Sequence, residues 1–374
     1  ARRPEPMPSH SSTTAPVSGA VGEGVVAEGP RVLLVYRDAG SRHCVASSVG
    51  LGVSALHTAR VLARAGIATD VVATADPDDV RAALTARPTV THCVIEAPWI
   101  ESDVMADLTR AFPGVDFTVR CHSQLGFLQA EPEAIQILRE LIAAEDDTPN
   151  LSVSTNSREL ARFLADVYAA RVVFLPNLYD VEWKPEGRLL DTSPGVLRIG
   201  SFGALRQLKN HTTAAAAALM LAKQRGVDLE FWVTVDGAGD RPSDVLKSLR
   251  LLFDGVDHAK LVEQPWQDWP DFRRTVASMD LCLQVSMTET FNITTADAVA
   301  EGVPSVVSPA LEWAPDAWKA ETDRLEDIVR IGGALLDGVD AAGAAGRLVL
   351  ESFVGQATLQ WVEYVSTPST LRSP

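Results

Sequence analysis

The chain reads as an α/β protein made of two Rossmann-like parallel-sheet domains that face each other across a cleft. Three observations carry this expectation. Short apolar runs alternate with stretches of helical spacing. A long polar segment bearing Pro and Gly, residues 176–195, interrupts the alternation near the middle of the chain. After it the same alternation begins again. With 374 residues the chain is long enough for two separate cores.

Residues 1–29 are rich in Pro, Ser, Thr, Gly and Ala and are expected to form a disordered leader. Order begins at RVLLVY, 31–36, a buried strand. The loop that follows leads to VSALHTARVLARAGI, whose helical spacing ends at Gly66 as a C-cap. TDVVAT, 69–74, is the next strand. Further strands are predicted near 92–96, 115–121, 151–154 and 172–175, mostly with helices between them. DPDD, 76–79, precedes a helical stretch and reads as capping rather than as a metal–nucleotide motif.

The second unit starts at VLRIGSFG, 196–203. It continues through a helix stopped by Gly226, the strand LEFWVTVDG, and strands near 259–263, 281–285 and 304–308. The expected domains are therefore 30–178 and 179–351, with a C-terminal helix at about 352–366 completing the first. Ligands of such sheets bind beyond the carboxyl ends of the strands, so the cleft between the domains is the expected site.

Hydrophobic residues make up 46% of the chain and charged residues 22%, an ordinary globular balance. Lys+Arg 33 against Asp+Glu 49 gives a net charge of -16, which opposes generic binding to nucleic acid or anionic membrane. The apolar runs are shorter than a membrane span and no early stretch resembles a signal peptide, so a cytoplasmic protein is expected. Cys44, Cys93, Cys121 and Cys282 form no CxxC and read as free thiols. Three of them adjoin His43, His92 and His122. Neighbours on a strand point to opposite faces, so each pair offers one zinc ligand at most, and no metal site is expected.

ETFNITTADAVAEGVPSVV, 289–307, carries two acids, Glu289 and Asp297, where a loop after strand DLCLQVS turns into a helix. The helix should begin near Asn292, reach Glu301, and stop at Gly302 and Pro304. Its first turn faces the cleft. Free backbone N–H groups there favour a phosphate, and carboxylates accept paired sugar hydroxyls.

This stretch resembles the E-x7-E motif of retaining glycosyltransferases of the GT-B fold, specifically glycosyltransferase family 4. Glu289, Phe291, Ala300, Gly302, Pro304, Val306 and Val307 fit the motif, whereas Asn292 replaces the usual Gly and Asp297 the second Glu. FLPNLYD, 174–180, resembles the inter-domain hinge. GSFGALRQLKNH, 200–211, resembles the donor-phosphate loop: Lys209 takes the Lys position, Ala204 stands where the family has Arg, and Arg206 lies two residues on. SSVGLGVSALHTARVLARAGI resembles the N-terminal glycine loop and helix, and VRCHSQ the strand end bearing the active-site His, here His122. The resemblance spans roughly 31–364.

The resemblance implies a hexosyltransferase-type, retaining, metal-independent enzyme without a cofactor. It would move a sugar from a nucleotide-sugar donor to an acceptor, whether polysaccharide, small molecule, protein or modified DNA. It implies catalytic roles for His122, Glu289 and Lys209. Donor contacts would come from Gly50, Gly52, Gly203, Arg206, Lys209, Phe291, Asn292, Ile293, Thr294 and Asp297, with Glu289 on the sugar and Asp297 on the ribose. Two other readings share the architecture: a nucleotide-sugar 2-epimerase, and a non-catalytic nucleotide-sugar-binding protein.

Overall fold

A computed structural model describes residues 29–38, 45–183, 187, 189, 195–235 and 243–367, with 45–49 described by their backbone only. Residues 1–28 of the expected leader and residues 39–44 after β1, His43 and Cys44 among them, lie outside these residues.

The first domain is a six-stranded sheet in the order β2-β1-β3-β4-β5-β6. Its strands are β1 (Arg31–Arg37), β2 (Ala68–Thr74), β3 (His92–Glu96), β4 (Asp116–Cys121), β5 (Leu151–Thr155) and β6 (Val172–Phe174), and every pairing is parallel. Helices α1 (Val45–Arg64), α2 (Pro77–Thr85), α3 (Ser102–Ala111), α4 (Leu125–Leu128), α5 (Pro132–Ala143) and α6 (Arg158–Tyr168) make the crossovers that parallel strands require. The Asp76 side chain accepts from the Asp78 N–H at 2.9 Å, so DPDD caps α2.

The second domain has five parallel strands in the order β11-β10-β7-β8-β9. They are β7 (Val196–Ser201), β8 (Asp228–Val235), β9 (Ala259–Pro265), β10 (Leu281–Gln284) and β11 (Ser305–Val307). Helices α7 (His211–Arg225), α8 (Asp244–Phe253), α9 (Trp269–Ala277), α10 (Ile293–Ala300) and α11 (Leu325–Asp337) surround this sheet. Strand order reverses beside β1 in one sheet and beside β7 in the other, and the carboxyl ends at these points open toward the cleft.

The last helix is longer than the sequence expectation: α12 runs Val339–Ser366 rather than 352–366. No Pro or helix-stopping turn separates its two halves, and Gly343 and Gly346 let it lie close to the second domain. A Cβ on Gly343 would meet the Gly302 carbonyl oxygen at 2.4 Å, and one on Gly346 would meet the Trp318 ring at 2.3 Å. Its far end returns to the first domain, where the Tyr364 hydroxyl bonds the Thr118 hydroxyl at 2.6 Å. The Trp361 indole also donates to the Pro176 carbonyl at 2.7 Å. One continuous apolar core consequently runs from β1 and α1 through hinge residues Leu175, Leu178 and Tyr179 into the second sheet. Among the described residues no helix is long and apolar enough to cross a membrane.

Candidate active site

The two sets of strand ends enclose a cavity of about 550 Å³. On the second-domain side, β10 gives way to a loop that enters α10 through Asn292. This residue has φ 51° and ψ 80°. Positive φ is costly for most side chains, but Gly and Asn tolerate it, so Asn can stand where the resembling family has Gly. Asn292 does more than fit the backbone: its side-chain oxygen accepts from the Thr295 N–H at 3.0 Å and its amide donates to Glu289 Oε2 at 3.1 Å. The N–H groups of Ile293 and Thr294 precede the first intrahelical bond and lie at the cavity wall.

Lys209 Nζ donates to the same Glu289 oxygen at 2.6 Å. Lys209 ends a short 3-10 turn, Gln207–Lys209, and Asn210 pins that turn by donating to the Val285 and Thr322 carbonyls at 3.2 and 2.8 Å. Arg206 projects across the cleft, its guanidinium 5.2 Å from the centre of the Phe127 ring on the first domain, a cation–π distance. Gly203, at φ 103°, shapes the loop that carries Ala204 and Arg206 and also lines the cavity.

Asp297 lies deeper, 1% exposed, at the rear wall. Its Oδ1 accepts from the Tyr179 hydroxyl at 2.8 Å and from the Trp269 indole at 3.0 Å. Burial pushes its carboxyl up to about 6, against these donors and nearby Arg273. Tyr179 belongs to the hinge and stacks on His57 of α1 with ring centres 4.3 Å apart. His57 Nδ1 accepts from the Asp180 N–H at 2.9 Å, and burial lowers its pKa to about 3, so its ring is neutral. Asp297 therefore joins both domains to the hinge as well as facing the cavity.

On the opposite wall His122 follows β4. Its Nε2 contacts Glu96 Oε2, and Arg120, wholly buried, donates to that oxygen at 2.9 Å. Arg120 also donates to the Leu175 carbonyl at 3.0 Å and to Asn177 Oδ1 at 2.7 Å, both in the hinge. Burial would raise the Glu96 pKa, but Arg120 and His122 hold it down at about 2. Burial and Arg120 lower that of His122. A polar bridge crosses the cleft beside it. The Thr290 hydroxyl donates to the His122 carbonyl at 3.2 Å, and the Asn156 amide donates to Thr290 Oγ1 at 3.1 Å and to Asn177 Oδ1 at 2.8 Å.

Of the residues singled out in the sequence, all but one line this cavity. The exception is Gly52, which faces the Tyr36 ring, where a Cβ would stand 3.0 Å from it; Gly50 is at the cavity wall. Phe291 lines the cavity yet is 4% exposed, its ring stacked on Phe353 of α12 at 5.7 Å. Glu96, Arg120, Asn156, Asn177, Tyr179, Trp269 and Thr290 were missed by sequence reasoning. A signal existed for two of them: Glu96 at the end of β3 and Arg120 within β4 are buried charges on largely apolar strands, where an unpaired charge is rarely tolerated. The thiols of Cys121 and Cys282 are buried, which pushes their pKa values up to about 12. Cys93 is buried and unoxidised as well. Among the described residues no three His, Cys, Asp or Glu side chains gather in a metal-binding group.

A fold of two facing parallel sheets with a hinge, a returning C-terminal helix and acids at a helix start in the cleft defines the GT-B class. Residues 151–310 match the sequence model of a family described as "Family 4 Glycosyltransferase in conflict systems". No curated protein sequence matches the chain. Among solved structures, a glycosyltransferase from Rickettsia africae superimposes with a TM-score of 0.63 at 11% identity, over 92% of this chain and 100% of that one. A sucrose-phosphate synthase from Thermosynechococcus elongatus gives 0.61 at 15% identity over 90% and 98%. The N-terminal domain of a Candida albicans trehalose-6-phosphate phosphatase gives 0.64 at 11% over 92% and 98%. At these identities the likeness is one of fold: the chain has the GT-B fold, and the family model matches a stretch running from β5 of the first domain through α10 and β11 of the second.

Proposed function

We propose that the protein is a retaining glycosyltransferase that takes its sugar from a nucleotide-sugar donor bound in the cleft and needs no metal ion. The observation that carries this reading is the grouping of Glu289, Lys209 and the start of α10 on one wall, opposite His122 on the other. When the glycosidic bond breaks, negative charge builds on the departing diphosphate. Cationic and N–H groups already in position stabilise it. Lys209, Arg206 and the N–H groups of Ile293 and Thr294 are the candidates. Glu289, held by Lys209 and Asn292, has its carboxylate fixed for donor sugar hydroxyls and for the positive charge at the anomeric carbon. Asp297, at the cavity wall, is assigned to the ribose. Trp99, Gln124 and Phe127 line the first-domain side of the cavity, the side assigned to the acceptor.

The experiment is a screen of UDP-, GDP- and ADP-sugars, with mass spectrometry of released nucleotide and free or transferred sugar. Release from one donor supports the reading. Conversion of a UDP-sugar to its epimer would favour the epimerase instead, and tight binding without release would favour the non-catalytic protein.

A further inference from the structure

We infer that Glu96 is a positioning residue that fixes His122 as the neutral tautomer protonated on Nε2, so that Nδ1 faces the cleft as a hydrogen-bond acceptor. Glu96 ends β3 and His122 follows β4, and these neighbouring parallel strands bring their side chains together at the cavity wall. Arg120, between them and with no exposure, donates to Glu96 Oε2 at 2.9 Å and so keeps that carboxylate charged. A charged carboxylate oxygen carries only lone pairs. A hydrogen on the ring nitrogen that touches it turns this contact into a hydrogen bond, which favours Nε2–H. Arg120 NH1 stands 3.1 Å from the same nitrogen and competes for it as a donor, but NH1 also reaches Glu96 Oε2 at 2.9 Å, and the guanidinium charge opposes a second proton on the ring. The backbone supports the arrangement: Ala97, next to Glu96, is held at φ 74° by an N–H bond to the Arg120 carbonyl at 2.8 Å. Strain of this kind persists where surrounding contacts enforce it, commonly at functional sites.

The consequence is a choice of ligand chemistry. An Nδ1 lone pair accepts from a hydroxyl and repels a phosphate oxygen, so the group opposite His122 is a sugar or acceptor hydroxyl. That consequence rests on the donor site proposed above, whereas the tautomer itself does not.

The test is long-range ¹H–¹⁵N correlation on protein with ¹⁵N-labelled histidine at neutral pH, with His122→Asn used to assign the signals. The expected wild-type result is a protonated Nε2 and an unprotonated Nδ1. Glu96→Gln leaves the buried Arg120 charge without its carboxylate and can impair folding, so the second variant is the double replacement Glu96→Gln/Arg120→Met, which removes both buried charges. In either variant the Nε2–H preference is expected to be lost. Turnover of the donor found in the screen should fall about tenfold or more, as when the carboxylate that sets a histidine tautomer is removed, with nucleoside diphosphate affinity unchanged. A wild-type His122 that is doubly protonated or protonated on Nδ1 would overturn the inference, as would variants that keep Nε2–H. No donor is needed for the spectrum, so failure of the glycosyltransferase reading would be seen separately.

Discussion

Replacing Asp297 by Asn removes a buried charge while keeping an oxygen for the Tyr179 and Trp269 donors. Burial raises this carboxyl from 3.8 to about 6. A folded-state pKa above the unfolded value means that the folded protein holds the proton more tightly. The ionised group is then a cost that is absent below the unfolded pKa, grows as the pH rises through the interval to about 6, and is complete above it. At 1.36 kcal/mol per pKa unit, a rise of about two units amounts to about 3 kcal/mol above pH 6 and about half that at pH 5. Asp297→Asn cannot ionise. It should melt close to the wild type at pH 4 and several degrees above it at pH 7.5, at about 2–4 °C per kcal/mol for a domain of this size. Thermal melts of both proteins across this range are the assay. A melting difference independent of pH would refute the reasoning, because it would mean that ionisation of Asp297 carries no cost in the fold. If that cost is kept for holding the ribose, the variant should also bind nucleoside diphosphate about tenfold to a hundredfold more weakly at pH 7.5, the loss of a charge-assisted bond of roughly 1.5–3 kcal/mol.

Three further outcomes are expected. Lys209→Ala should weaken donor and nucleoside diphosphate by about tenfold to a hundredfold and leave the nucleoside alone unaffected; calorimetry with both ligands checks this, and equal losses would remove Lys209 from the phosphates. Asn292→Gly keeps a backbone at φ 51° that Gly adopts freely but frees Glu289 from the amide at 3.1 Å. It should fold normally and lower kcat without changing nucleoside diphosphate affinity, and a wild-type kcat would show that Asn292 serves only the turn. Turnover should persist in excess EDTA, because Lys209 and the helix start are assigned the charge neutralisation; loss of turnover restored by Mn²⁺ or Mg²⁺ would contradict that assignment.

Most strands are legible because they are runs rich in β-branched and apolar residues, as suits parallel strands largely covered on both faces. HCVIE, 92–96, coincides with β3. Helix α10 begins one residue after Asn292, and Gly302 stops it at φ 80°. The full length of α12 is not legible because its close approach to Gly302 and Trp318 depends on tertiary contacts at Gly343 and Gly346, which pattern alone does not reveal. In the site, the spacing of Glu289 and Asp297 marked the helix start, yet their partners were not legible. Lys209 meets Glu289 across 80 positions of sequence and Tyr179 meets Asp297 across 118, and one sequence carries no sign of such pairings. Glu96 and Arg120 give a weaker sign, a charge on a largely apolar strand, because each strand also reads well without it.

The central claim is that the cleft binds a nucleotide-sugar with Glu289 at the sugar and Lys209 at the phosphates. Glu289→Gln tests it most directly, with kcat measured on the donor found in the screen and calorimetry on its nucleoside diphosphate. Without the carboxylate, the charge of Lys209 is no longer shared with it. The account therefore predicts a kcat lower by on the order of 10²-fold with nucleoside diphosphate affinity unchanged or tighter. Weaker nucleoside diphosphate binding at wild-type kcat would contradict it.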